Sequence, residues 1–155
     1  MGNDLGRPTS FFIACAVNPV AGNVEGEMAR LERKLEAGAH IVFTQPLYEL
    51  TTLEQLVRAV ERWAVPVMLG VLPLRGARHA EFLHNEIPGM SIPEKVRHEL
   101  RSAGDRAAVR GIELATSFLR EARSMVAGVY LMPPFRKYEI VPQILEGAGI
   151  PFSAS

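Results

Sequence analysis

Four short, unbroken apolar runs constrain this chain most: Phe11–Val17, Ile41–Thr44, Pro66–Leu72 and Gly128–Met132. None alternates apolar with polar residues. Runs of this length fit strands buried on both faces, as in a parallel sheet. The segments between them carry helical patterns. Val24, Met28, Leu31 and Leu35 form one stripe, with Asn23 as its cap and Gly38 as its exit. A second helix is predicted to open with Thr52 and Gln55 at capping-box spacing, with Leu53, Leu56, Val57 and Val60 on one face. Pro93 and Glu94 open a third. A fourth runs from about Asp105 to Met125, with Ala108, Ile112, Ala115, Leu119 and Ala122 as its stripe. A last one covers roughly 137–146. The order β-α-β-α-β-α-α-β-α implies parallel strands joined by right-handed crossovers. Two architectures accommodate it: a small doubly wound sheet, or half of an eight-stranded barrel.

Composition narrows the function. Among 155 residues, 17 basic side chains balance 17 acidic ones, which removes the electrostatic reason to expect nucleic acid or an anionic membrane as partner. The single cysteine, Cys15, cannot form an internal disulfide and reads as a buried, inert thiol. No apolar run approaches the roughly 20 residues that span a membrane. The opening stretch MGNDLGRPTS, residues 1–10, is a polar lead-in without signal-peptide character, so a cytoplasmic location is expected. The four histidines show no HExxH arrangement, no acidic cluster accompanies them, and no metal site is expected. Neither GxGxxG nor GxxxxGK[ST] is present.

In either architecture, ligands bind beyond the carboxyl ends of the strands. The residues there are 18–23, 44–48, 73–79 and 133–138, which combine amides, arginines and aromatics with prolines. That chemistry suits a large heteroaromatic ligand with anionic ends, although loops are polar in any case. Gln45 directly follows a buried strand, where it either bonds a neighbouring loop or reads the polar edge of a ligand. Glu27, Arg30 and Lys34 share one helix face, with Arg33 beside them. They read either as a solvated face of ion pairs or as a carboxylate for sugar hydroxyls beside cations for a pyrophosphate.

The stretches AVNP, LERKLEAGAHIVFTQP, GVLPL, AEFLHNEIPGMSIPEKV and GVYLMPPFRKYE, in this order, resemble consecutive signatures of the methylenetetrahydrofolate reductase family. They are most similar to the reductase part of bifunctional homocysteine methyltransferase/reductase proteins. The resemblance runs from about Phe11 to Phe152. It implies an α/β fold of (β/α)₈ TIM-barrel type, present here as about four β-α units resembling the fifth to eighth. Residues 1–155 then form one partial barrel domain. The resemblance further implies FAD as cofactor, contacted by Asn18, Glu27, Arg30, Arg33 and Lys34, and NAD(P)H as reductant. It implies a folate substrate met by Gln45, Phe82 and Arg136. The expected reaction is reduction of 5,10-methylenetetrahydrofolate to 5-methyltetrahydrofolate.

Two departures bear on this expectation. The loop after Asn18 is shorter than in monofunctional relatives, and their tyrosine and histidine contacts to FAD are unmatched. The family's catalytic Glu, which follows the first strand, has no counterpart here, so no catalytic residue is assigned and the chain alone is expected to be inactive. A half barrel has two open edges. Its expected partner is the missing N-terminal half; a homo-oligomer is the alternative. From a different class, the chain also reads as a non-catalytic module that binds a flavin- or folate-like ligand or docks to a partner.

Overall fold

The fold is described from a computed structural model that covers residue 6 and residues 10–151. The lead-in falls outside the described residues except at residues 6 and 10, and Phe152 also falls outside them. Four strands, β1 (Ala14–Val17), β2 (Ile41–Pro46), β3 (Val67–Val71) and β4 (Gly128–Leu131), pair in parallel in the order β1-β2-β3-β4. A doubly wound sheet reverses its strand order at a switch point. Here neighbours in the sheet are neighbours in sequence, as in a barrel wall. The fold is α/β, of partial TIM-barrel type.

The helices among the described residues are α1 (Val24–Glu36), α2 (Leu50–Val60), α3 (Ala77–Glu86), α4 (Glu94–Ser102), α5 (Ala107–Ala122) and α6 (Ile140–Gly147). Asn23 Oδ1 accepts the Gly26 N–H at 2.8 Å and caps α1; Gly38, at φ 96°, ends it. Helix α2 departs from the expected capping box. It begins at Leu50 behind Glu49, without a side-chain cap, so that Leu50 packs beside Leu47 and Leu53. Core contact there outweighs the capping bond. In α5 the buried face is Ala107, Gly111, Ala115, Leu119 and Ala122, while Ala108 faces solvent. The stripe is displaced because α5 approaches the backbone of Leu74, and only a glycine fits there: a Cβ on Gly111 would stand 2.7 Å from the Leu74 carbonyl carbon and nearer still to its oxygen.

Side chains alternate across the sheet. Val17, Val42 and Val67 meet Leu31, Leu35, Leu56 and Val60 of α1 and α2. Leu69, Val71, Val129 and Leu131 meet Leu53 of α2, Leu119 of α5 and Ile144 of α6. Each fully buried leucine in these layers contributes about 1.5–3 kcal/mol relative to exposure. The opposite face, on which Ala14, Ala16, Ile41, Phe43, Gln45, Met68 and Tyr130 fall, carries no helix among the described residues. Phe11, Phe12 and Ile13, expected within the first buried strand, instead lie before β1 and are 74%, 70% and 47% exposed.

The pairing of β2 with β3 is irregular between Phe43 and Pro46. The backbone groups freed by the irregularity find other partners. Thr44 Oγ1 accepts the Gly70 N–H at 3.0 Å, and the Tyr130 hydroxyl donates to the Thr44 carbonyl. Tyr130 lies over Gly70, where an added Cβ would sit 2.7 Å from its hydroxyl oxygen, and its ring meets Phe43 at 5.4 Å. The irregularity takes in Thr44 and Gln45, and β2 runs on to Pro46, so Gln45 belongs to the strand rather than to the loop after it.

Candidate functional site

Two groups of polar side chains stand at the carboxyl ends of the strands. The first follows β1. Glu27 Oε1 accepts the Asn18 backbone N–H at 3.0 Å, and Oε2 takes Arg30 Nε at 3.0 Å and Nη2 at 2.6 Å. Lys34 Nζ donates to the Ala16 carbonyl at 2.8 Å, which bends the amine over the strand end. Asn18 Oδ1 accepts the Val20 N–H at 3.2 Å, and its Nδ2 reaches the Gly89 carbonyl at 2.9 Å. Four of the expected residues, Asn18, Glu27, Arg30 and Lys34, thus form one neighbourhood. The Arg33 side chain is exposed in the last turn of α1, with no hydrogen bond or ion pair among the described residues. Burial pushes the Glu27 carboxyl up, but Arg30, the Asn18 N–H and Lys34 together outweigh it and hold it below the ordinary range. Cys15 lies within the same strand; burial raises its thiol pKa against the pull of Lys34.

The second group lies beyond β3 and β4. Arg75, Gly76, Ala77, Arg78, His79, Phe82, Gly104, Ala107 and Phe135 line an open cleft of about 710 Å³, room enough for a drug-sized group. The Arg75 guanidinium sits 4.6 Å from the centre of the Phe135 ring, and the His79 ring is 5.8 Å from it. His79 Nδ1 accepts the Arg75 N–H at 3.2 Å. Burial, then the Arg75 charge, lowers the His79 pKa, so the imidazole is neutral at neutral pH. Phe135 and Arg136 both adopt left-handed backbone, at φ 54° and 61°. For non-glycine residues this costs about 1–2 kcal/mol each. The stack of Arg75, Phe135 and His79 helps to hold that turn.

Of the expected substrate residues, Phe82 is half-exposed on α3 and lines this cleft. Gln45 is exposed on the open face of β2, with no hydrogen bond to a neighbouring loop among the described residues. Arg136 is exposed beside Phe135 and meets no partner among the described residues. Arg75, His79 and Phe135 were not singled out from the sequence. Their signal was their position directly after apolar strands.

Helix α3 itself was not expected. It lies with α4 over the strand ends, where Ala80, Leu74, Ile92 and Leu100 form a small separate core with Tyr48. The Tyr48 hydroxyl donates to the Leu72 carbonyl at 3.2 Å and joins the loops after β2 and β3; burial raises its pKa. Among the described residues, no group of three or more His, Cys, Asp or Glu converges as metal ligands, and no helix is long and apolar enough to cross a membrane.

A family model described as methylenetetrahydrofolate reductase matches residues 10–149. The chain is also similar to a protein of Caenorhabditis elegans named probable methylenetetrahydrofolate reductase (NADPH), at 26% identity over 152 residues and 90% of this chain. The match spans 22% of that relative's length.

Proposed function

Because the chain belongs to the methylenetetrahydrofolate reductase family, we propose that it is the cofactor-facing half of a barrel that reduces 5,10-methylenetetrahydrofolate to 5-methyltetrahydrofolate with FAD and NAD(P)H. The observation that carries this reading is the cluster at the end of β1. A fixed carboxylate, Glu27, stands beside Lys34, whose amine is bent over the strand end, with Arg33 free for an anion one residue away. This donor and acceptor set fits the sugar and pyrophosphate of a dinucleotide. The small side chains Ala14 and Ala16 leave the adjoining sheet face accessible to a flat ring.

FAD, when bound, supplies the hydride chemistry that joins the nicotinamide to the folate. The protein's own residues orient and bind. Glu27 accepts hydroxyl groups, while Arg30, Arg33 and Lys34 neutralise phosphate oxygens. Asn18 stands at the edge of the same site. Gln45, on the open face with Ile41 and Phe43 by the alternation of β2, offers both an amide donor and an acceptor to a pterin edge. Phe82 stacks on an aromatic ring, and Arg136 meets a carboxylate. No residue in this chain is assigned as proton donor. Among the described residues the outer edges of β1 and β4 are unpaired and one face of the sheet carries no helix, which favours completion by further strands.

The test is titration of the purified chain with FAD, followed by flavin fluorescence. Saturable binding, weakened about tenfold or more by Lys34→Ala, is expected from loss of a charge-assisted contact. A Lys34→Ala variant with unaltered affinity, or no saturable binding either by the folded chain or by a longer protein that adds the further strands, would overturn the assignment.

A further inference from the structure

The hairpin made by α3 and α4 is held in two ways. Along its length, Glu81 on α3 accepts from Arg97 at 2.8 Å and from Arg101 at 2.6 Å on α4. The two helices therefore move as one body, and Phe82 adjoins the residue that locks them. At its tip, residues 87–91 are largely exposed, and Gly89 adopts φ 81°. The Met90 N–H bonds the Ile87 carbonyl and the Ile92 N–H bonds His84 Nδ1, both at 3.1 Å and both within the hairpin. One hydrogen bond leaves the tip: Asn18 Nδ2 to the Gly89 carbonyl, across 71 residues of sequence. Among the described residues no other hydrogen bond ties 87–91 to the remainder of the chain.

Asn18 is itself rigidly set. Its N–H is held by Glu27, its Oδ1 by the Val20 N–H, and its carbonyl by the Ala21 N–H. The fit to the loop is close, because a Cβ on Gly89 would stand 2.7 Å from Asn18 Nδ2. We propose that Asn18 is a positioning residue, which fastens the α3–α4 tip to the end of β1 and so fixes the separation between the Glu27–Lys34 cluster and Phe82. Both polar atoms of its side chain are engaged inside the protein, so it acts through Gly89. The inference rests on the preceding reading only for what the two separated groups bind. Rings that exchange a hydride must lie within about 3–3.5 Å, so a displacement of about 1 Å is costly. A clasp between the two halves of the site guards that distance.

Two variants break the clasp from opposite sides. Asn18→Asp keeps an acceptor for Val20 but cannot donate to Gly89. Gly89→Ala leaves β1 untouched and displaces the loop by its Cβ and its backbone preference. In the full chain without ligand, both should speed hydrogen exchange at the Met90 and Ile92 amides by about five- to tenfold, with the amides of β1 and α1 unchanged. The double variant should match the single ones rather than multiply them. In the FAD-loaded chain, Gly89→Ala should weaken 5-methyltetrahydrofolate by about five- to tenfold with FAD affinity held within about twofold. Unchanged exchange at the tip, multiplicative effects in the double variant, or equal losses of both ligands would overturn the proposal. A chain that binds neither ligand would overturn the functional reading instead, and the exchange experiment would still decide the clasp.

Discussion

Gly111→Ala sets two effects of opposite sign against each other. Gly111 lies inside α5, and alanine at a helix interior is ordinarily favoured over glycine by about 1 kcal/mol. The structure predicts the reverse. The new Cβ would stand 2.7 Å from the Leu74 carbonyl carbon and closer to its oxygen. Carbon atoms pack at about 3.5–4.0 Å, so α5 or the loop must yield by about 1 Å or more. The obstacle is backbone and cannot swing aside, and Leu74 is buried with Ala80, Ile92 and Leu100. Overpacking of this kind costs about 3 kcal/mol, at the upper end of its usual range. Set against the helix gain of about 1 kcal/mol, the net loss is about 2 kcal/mol, a large share of a typical domain's 5–15 kcal/mol. Urea unfolding of both proteins measures it. With a slope of about 2 kcal/mol/M, the midpoint should fall by about 1 M with the slope unaltered. A midpoint that is unchanged or raised would refute the packing argument. Because Leu74 precedes Arg75, the same variant should also disturb the cleft.

Other substitutions probe separate links. Tyr130→Phe strips the Thr44 carbonyl of its donor and should cost about 1–2 kcal/mol in the same unfolding assay, whereas an unaltered midpoint would show that the bulge does not need that bond. Glu27 has a folded pKa below its ordinary 4.5, so its stabilisation is complete above that value and disappears as pH falls through the lower folded value. Glu27→Gln should accordingly flatten the stability profile in that acid range, as followed by unfolding from pH 3 to 7. His79, lowered from 6.5 by burial and the Arg75 charge, should charge at a lower pH than an exposed imidazole does, which NMR titration of its ring proton reads directly. Phe82→Ala removes a ring that is 54% exposed. It should change stability by less than about 0.5 kcal/mol, as surface substitutions do, while weakening a folate probe by calorimetry.

The strands that form the middle of the sheet were legible because their residues must be apolar on the helix side whatever the architecture. Val42, Leu69 and Val71 announce themselves in this way. Most of the α1 stripe was equally plain, at Met28, Leu31 and Leu35, as was its Asn23 cap; Val24, in the first turn, is 46% exposed. Residue patterning by itself could not choose between a doubly wound sheet and a barrel wall, since strand order is a property of space; the ordered motifs, through the family resemblance, pointed to the barrel. Helix α3 escaped notice because Ala80 is its one buried residue; it lies over strand ends and needs no apolar stripe. The apolar character of Phe11, Phe12 and Ile13 extends the expected first strand too far, because they lie before β1 and are largely open, with the His40 ring stacked on Phe12. At the candidate site, the Glu27–Arg30 pairing followed from helical spacing. The stack of Arg75, His79 and Phe135 did not, because it depends on left-handed backbone at Phe135 and Arg136, which no glycine signals. The irregular pairing around Gln45 was invisible for a similar reason: it arises between strands.

The consecutive strand order also sets a schedule for folding. The first two pairings close over short separations, Ala14 to Ile41 and Val42 to Val67, each spanned by one helix. The last, Met68 to Gly128, must wait for α3, α4 and α5 to be made or stepped over. Closing that longer segment costs only about 0.7 kcal/mol more in chain entropy, because the penalty grows with the logarithm of length. The delay comes instead from the number of elements that must be in place before β4 can dock. Until then the β3 edge stands unpaired, and Tyr130, which bonds the Thr44 carbonyl, has not arrived. The irregular pairing beside Gln45 therefore gains its Tyr130 bond only when β4 docks, although Thr44 and Gly70 can meet before it.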